Sequence, residues 1–289
     1  MTWWIAALIA AVLITVAQLL EKKYLDRMHT LVFSTELSLY GFFLSLALIP
    51  WVRWDFGHDE YFLLVAIGAL WTGVFFFANK AIRHSAVSEI VPLGNLKVIV
   101  TLFMAMIILG DIPTMWHLVG VLMVVAGAYS LLLHPKHSFF EPFTLFRSKK
   151  STTYVLLSVI LYGVLAVLVK LLLITVPVVT FLFFLNVLLF AGYLLLDYFT
   201  RHSDNILQIR PRLSEHGRGI FFAALALFLA RIFIFMAFQS GSVTLASAVL
   251  ELSVFFTIIA AGRILHEQNL ARKLIASAVM IAGTLFIIS

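Results

Sequence analysis

Residues 87–132 read VSEIVPLGNLKVIVTLFMAMIILGDIPTMWHLVGVLMVVAGAYSLL, and residues 243–288 read VTLASAVLELSVFFTIIAAGRILHEQNLARKLIASAVMIAGTLFII. Laid side by side without a gap, 156 positions apart, they share ten identical residues in 46 pairs. Among these are Leu96/Leu252, Thr101/Thr257, Ile108/Ile264, Leu109/Leu265 and Gly127/Gly283. In so apolar a chain chance supplies many such matches, and a polar landmark carries more weight. Asp111 pairs with Glu267, and each acid stands sixteen residues before its glycine. A match at a fixed period implies two homologous halves. In a membrane protein, two such halves point to a transporter with a pathway between them.

The rest of the composition puts the chain in lipid. Of 289 residues, 63% are hydrophobic and only 12% charged, and the mean hydropathy is +1.07. A soluble domain is about half apolar and about a quarter charged. Charge-free runs long enough to cross a bilayer, about 17–25 residues, occupy 1–20, 61–79, 112–135, 151–169 and 171–196. Segments with isolated charges supply the remaining spans, at 31–50, 86–109, 219–239, 243–265 and 271–288. The expectation is an all-α integral membrane protein of ten transmembrane helices. A membrane β-barrel would need short, strictly alternating segments, which are not found. No Lys or Arg precedes the first span, so it lacks the basic start of a secretory signal and reads as a retained helix. With no cysteine, disulfide and thiol chemistry are excluded. The net charge of +6 belongs to the membrane surface and does not imply a nucleic-acid partner.

The basic residues sort by side. Alternate loops 21–30, 79–85, 134–150, 200–218 and 263–273 hold nearly all of them, among them Lys22, Lys80, Arg147, Arg210 and Arg272, whereas the other side has Arg53 and little else. Those five loops are expected in the cytoplasm and both termini outside, in the plasma membrane of a prokaryote. Five helices per half is an odd number, so the second half enters the membrane in the opposite direction. The linker Gly110–Pro113 has no basic residue, but its counterpart has Arg263, Arg272 and Lys273. The expected fold is therefore two inverted five-helix repeats, residues 1–134 and 135–289, in one membrane domain.

The paired acids Asp111 and Glu267 open helices 5 and 10, where exposed N–H groups and the positive dipole end favour a carboxylate. Pro113 supports a helix start there. A proton or ion site is the functional reading, and a helix-start anchor is the simpler one. Gly120, Gly127, Gly283 and Ala276 stand at the spacing that lets helices approach closely in lipid, and read as packing seams.

Helices 4, 8 and 9 differ, because charges interrupt them. Lys97 lies about eleven residues into helix 4, roughly 16 Å along its axis. Arg231 lies about as deep in helix 8, and Glu251 is somewhat shallower in helix 9. A charge near the bilayer centre costs at least about 2.5–3.5 kcal/mol, so each must face protein or water and find a partner. Glu89 and Asn95 share helix 4 with Lys97, and Asn95 is the repeat counterpart of Glu251. One reading is a central substrate cavity with two cations and a carboxylate. The other is an interhelical ion pair, Glu251 with Lys97 or Arg231, that locks the halves together. Glu36 and Lys170 stand about a turn from helix ends and can snorkel to the interface, and Asp197 is expected at an interface. Trp71 and Phe75 in helix 3 are the aromatics placed on the cavity, although most of the 27 phenylalanines face lipid or pack. Trp3, Trp4, Trp51 and Trp54 read as an outer aromatic belt.

Enzyme signatures are missing from the sequence. His266-Glu267 is followed by Gln268-Asn269-Leu270, not by the second histidine of a zinc motif, and no phosphate-cradling glycine loop or paired-aspartate motif occurs. No catalytic residue, metal or cofactor is expected.

Leu109-Gly110-Asp111 with Gly120 and Gly127, and Leu265-His266-Glu267 with Ala276 and Gly283, resemble the helix ends of the EamA family of the drug/metabolite transporter superfamily. That pattern is Leu-Gly-Glu, then a small residue nine positions on and a glycine sixteen on. Ser88–Leu96 and Thr244–Leu252 resemble the entries to the family's fourth and ninth helices, and the resemblance spans essentially the whole chain. It implies that helices 3, 4, 8 and 9 surround a central cavity, so that Lys97, Arg231 and Glu251 face it. The chain departs from the family at Val98 and Val254, where a proline is common, and at Lys97, where a small polar residue is usual. Many members are drawn with cytoplasmic termini, opposite to the charge bias here. The small multidrug relatives use a glutamate in their first helix, for which helix 1 here offers only Gln18.

The expected function is secondary-active transport of a small zwitterionic or anionic metabolite, such as an amino acid, by alternating access. Lys97 and Arg231 would take its acidic group, and Glu251 and Asn95 an amine or hydroxyl. Two alternatives remain: a transporter or flippase of amphipathic or lipid-linked substrates or drugs, and a non-transporting membrane sensor or interaction subunit. Expected partners are a small-molecule substrate and the lipid bilayer, with a coupled proton or a counter-substrate as options, in a monomer or homodimer.

Overall fold

The computed structural model describes residues 2–25, 28, 30–84, 94, 96–132, 150–201, 213–265 and 270–288. Every regular element among them is helical: α1 (Trp3–Leu25), α2 (Thr30–Leu46), a 3-10 turn (Ile49–Trp51), α3 (His58–His84), α4 (Lys97–Leu109), α5 (Met115–Leu132), α6 (Lys150–Thr175), α7 (Val178–Arg201), α8 (Leu213–Ser240), α9 (Val243–Leu250), α10 (Leu252–Leu265) and α11 (Leu270–Ile288). Trp3–Glu21, His58–Ala78, Thr153–Thr175, Val178–Phe199 and Gly217–Ser240 are long and apolar enough to cross a membrane. Leu31–Leu46, Lys97–Leu109, Met115–Ser130, Val243–Thr257 and Ala278–Ile288 are shorter apolar helices. The outward faces are apolar too: Phe62 is 77% exposed and Ile107 76%. Water would reject such a surface, whereas lipid accepts it once the helices satisfy their own backbone groups.

The helices end where the sequence punctuates them. Gly110 closes α4 in the left-handed region at φ 64°, and the N–H groups of Gly110 and Asp111 both return to Ala105 O. A residue with a Cβ would be strained there. Pro177 separates α6 from α7 and accepts the N–H of Phe181. Ser242 caps α9, its hydroxyl accepting from Leu245 N–H.

Helix partners come in matched sets. α1 lies against α8 as α3 lies against α6, and α2 meets α8 as α7 meets α3. α6 contacts α4, and α1 contacts α9 and α10. α2 faces α7, α5 faces α11 and α4 meets α9. The α5–α11 contact is the glycine seam expected from the sequence. A Cβ on Gly120 would come within 2.6 Å of Gly283 O, and one on Gly283 within 2.7 Å of Gly120 O. A Cβ on Gly127 would meet Met280 Cγ at 2.5 Å.

Several local expectations change. Residues 243–265 are not one helix: Glu251 separates α9 from α10 in a tight turn, its N–H bonding Ala248 O at 3.1 Å. Helix α4 starts at Lys97, which aligns with Ser253 near the start of α10. Asp111 is not in the first turn of a helix, since α5 begins only at Met115. It accepts a 2.5 Å bond from Ser242 Oγ, which precedes α9. Glu267 lies outside the described residues. Glu36 does not snorkel, and Lys170 turns its head to the end of α8. Glu36 is 4% exposed, and its Oε2 has no hydrogen-bond partner. Lys170 Nζ donates to the carbonyls of Phe238, Gln239 and Gly241 at 2.6, 3.1 and 2.9 Å. Carbonyls at a helix C-terminus have no intrahelical donor, so a cation one helix away satisfies them better than the interface would. Asp197 is buried.

Candidate functional site

Three of the charges chosen for their cost in lipid resolve into two separate constellations. In the first, Lys97 Nζ stands 3.0 Å from Glu251 Oε1. The pair joins the start of α4 to the break between α9 and α10. Glu251 is buried, whereas 35% of the Lys97 side chain is exposed. Lys97 Nζ also lies 5.5 Å from the centre of the Tyr162 ring, on α6. An ammonium over a ring face is stabilised by the ring quadrupole. Of the two pairings open in the sequence, Glu251 therefore takes Lys97.

The second constellation is built on Arg231, midway along α8. Its Nη1 donates to Asn186 Oδ1 at 3.0 Å, and the guanidinium carbon stands 5.6 Å from the centre of the Trp71 ring. Asn186 in turn donates from Nδ2 to Leu182 O, which orients its oxygen toward the guanidinium. Gly41 opposite is needed for this, because a Cβ there would lie 2.8 Å from Asn186 Oδ1. Trp71 packs edge-on against the buried Phe235, which stacks edge-on against Phe181 in turn. Among the described residues Arg231 makes no ion pair. An arginine held by a neutral amide and a ring face keeps donors free for a carboxylate or phosphate.

Arg231 lines a cavity of about 230 Å³ enclosed by α1, α2, α3, α7 and α8. Its polar lining comes from Glu21, Ser34, Ser38, Tyr193 and Arg231, and its apolar wall from Phe33, Leu37, Phe75, Leu189 and Leu227. Glu21, Ser34 and Ala78 stand near the helix ends that lead into the basic loops 21–30 and 79–85, so the cavity runs from that side toward Arg231. A second, shallower depression of about 500 Å³ lies between α3 and α7, lined by Val65, Gly68, Leu188, Gly192, Phe199 and neighbours. Its one hydroxyl, that of Thr72, already donates to Gly68 O.

The structure thus brings together Lys97 with Glu251, and Arg231 with Trp71 and Phe75, while Glu89 and Asn95 lie outside the described residues. Sequence reading missed Glu21, which ends an apolar run like an interfacial residue. It also missed Asn186, Tyr162 and Tyr193, uncharged groups with no signal of their own. The spacing of Arg231 from the end of its span was the one available hint that helix 7 must answer it with a polar group.

A bundle of apolar helices with charges held at its interior defines a helical membrane protein, and the comparisons place it more closely. The profile of the EamA-like transporter family matches residues 1–133 and 149–289. The chain belongs to that family, a membrane transporter group of the drug/metabolite transporter superfamily whose members are not enzymes. A solved structure described only as the crystal structure of a protein superposes with a TM-score of 0.74, at 16% identity, over 99% of this chain and 98% of its own. At that identity the likeness concerns the fold. No curated protein matches.

Proposed function

We propose that this chain is a secondary transporter that carries a small anionic or zwitterionic metabolite, such as an amino acid, through the membrane by alternating access. The observation that carries the reading is Arg231: a cation without an ion pair among the described residues, at the inner end of a largely apolar cavity. An anionic group of the substrate supplies the missing charge, Glu21 or Tyr193 meets an amine or hydroxyl, and the apolar wall takes the rest. The Lys97–Glu251 pair ties the start of α4 to the turn between α9 and α10, and its breaking accompanies the change of access. The halves, 1–134 and 135–289, are read as inverted repeats, with both termini outside. The matched helix partners support a twofold repeat, since they are preserved when α1–α5 exchange with α6–α11; the inversion and the outside termini rest on the loop charges.

The test is uptake into proteoliposomes of a metabolite that first raises the melting temperature of the purified protein. Lys97→Ala and Glu251→Gln should each abolish uptake, and wild-type rates in both end the proposal. A second reading, transport of amphipathic or lipid-linked molecules, is favoured by the apolar depression between α3 and α7, which faces lipid. Uptake that depends on Gly68 and Gly192 but not on Arg231 would select it.

A further inference from the structure

Buried serine and threonine hydroxyls in these helices bond back to a carbonyl one turn earlier, as in Thr15 to Ala11, Thr101 to Lys97, Ser158 to Val155 and Thr284 to Met280. Thr244 and Ser247 do not. They are 1% and 2% exposed, and neither hydroxyl has a hydrogen-bond partner. Both stand on α9, a helix buried on every side. At 100° per residue, Thr244, Ser247 and Glu251 fall within about 60° of one another, on one face. Ser242, the extended N-cap of α9, precedes Thr244 off this face, and its hydroxyl donates to Asp111 in the connection between α4 and α5. The inner end of the face is the Glu251 carboxylate, on Lys97.

We propose that this face of α9 is a proton path, lined by hydroxyls and water, from the Asp111 side of the membrane to Glu251. Buried hydroxyls are almost always satisfied by protein or by ordered water. Thr244 to Ser247 is about 4.5 Å along the axis and Ser247 to Glu251 about 6 Å, gaps that one bridging water spans. A sodium ion is disfavoured in the same place, because the Lys97 ammonium already stands 3.0 Å from Glu251 Oε1. A proton instead bonds to the carboxylate and neutralises it. Lys97 keeps its own proton and loses its counter-charge, which releases the pair that joins α4 to the turn between α9 and α10. The titratable neighbours of Glu251 are Lys97 from α4 and Tyr162 from α6. From α1, Thr15 and Gln18 bond to Ser253 and Thr257 and do not titrate. The other charged groups described on elements around α9 are Glu21 on α1, Lys170 on α6, Arg218 and Arg231 on α8, and Asp111 before α5.

The proposal rests on the transporter reading, but its test needs no substrate. Dicyclohexylcarbodiimide attacks protonated carboxylic acids in apolar surroundings, and its adduct on Glu251 is measured by mass spectrometry in sided membrane vesicles. With the basic-loop side held at about pH 8 and the Asp111 side lowered to about pH 6, the adduct should rise severalfold. Thr244→Val with Ser247→Ala should remove that response, and Ser247→Thr, which keeps a hydroxyl, should retain it. An adduct that follows the basic-side pH overturns the path. So does an unchanged response in the hydroxyl-free variant, or no adduct at any pH. Each of those results leaves substrate binding at Arg231 standing, whereas failure of binding alone leaves the labelling pattern intact.

Discussion

Lys97 and Glu251 lie in apolar helices, where neither is tolerable alone. Removing one partner of such a pair leaves a buried charge, a loss of up to about 3–5 kcal/mol, whereas replacing both can be neutral. Lys97→Met is therefore expected to lower the melting temperature sharply, and Lys97→Met with Glu251→Gln to recover most of it. Equal destabilisation in single and double variants would show that the two residues are not coupled. Glu36 presents the reverse case. Its buried Oε2 has no partner, and such a group costs about 1–3 kcal/mol. Glu36→Met should raise the melting temperature and leave transport intact; lost transport in a folded variant would assign Glu36 a role. At this scale the sequence was informative only where a residue was expensive. Lys97, Arg231 and Glu251 stood out because charge is costly in lipid. Thr244 and Ser247 were silent, because hydroxyls in helices usually satisfy themselves, and only the three-dimensional arrangement shows that these two do not.

At the scale of elements, the glycine seam and the broken helices have different origins. The seam was readable from the sequence, since small residues recur at the same positions of both copies. Gly120→Leu would drive a side chain into the backbone of α11, where Gly283 O stands 2.6 Å from the added Cβ. Overpacking costs about 1–3 kcal/mol where neighbours can shift, and a backbone carbonyl shifts little. The variant should lose at least that much, measured by thermal unfolding in detergent, whereas Gly57→Ala, with nothing within 4 Å of its Cβ, should be neutral. The break at Glu251 was not readable. No proline or glycine marks it, and the apolar run continues through it. The side of the molecule away from the basic loops is held shut by single groups. Lys170 binds the end of α8, Gln239 Nε2 donates to Leu173 O, and Arg53 donates to Thr175 O. Lys170→Met should loosen that closure. Because the chain has no cysteine, a lone Val243→Cys reports it: labelling by a membrane-impermeant maleimide should rise severalfold with Lys170→Met and stay low without it. Unchanged labelling would remove Lys170 from the gate.

For the molecule as a whole, the proposed transport cycle makes this arrangement one of its stations, with a cavity on the side of the basic loops and side-chain contacts at the opposite end. Hydropathy carried the helices in the sequence, because it acts over many residues, and loop charge is the basis of the expected topology. Pocket shape depends on a few side-chain directions, which no periodicity encodes. Reporter fusions at Ser289 and within 134–150 should give opposite signals, with the loop cytoplasmic; a cytoplasmic signal at Ser289 would reverse the topology. The central claim is that Arg231 awaits an anionic group, and ligand-induced stabilisation of purified protein tests it most directly. A ligand present at about a hundred times its Kd adds about 2.7 kcal/mol to the native state. Anionic and zwitterionic metabolites should raise the melting temperature of the wild type but not that of Arg231→Gln. Stabilisation by cationic or neutral compounds alone, or an equal response in both proteins, would contradict the account.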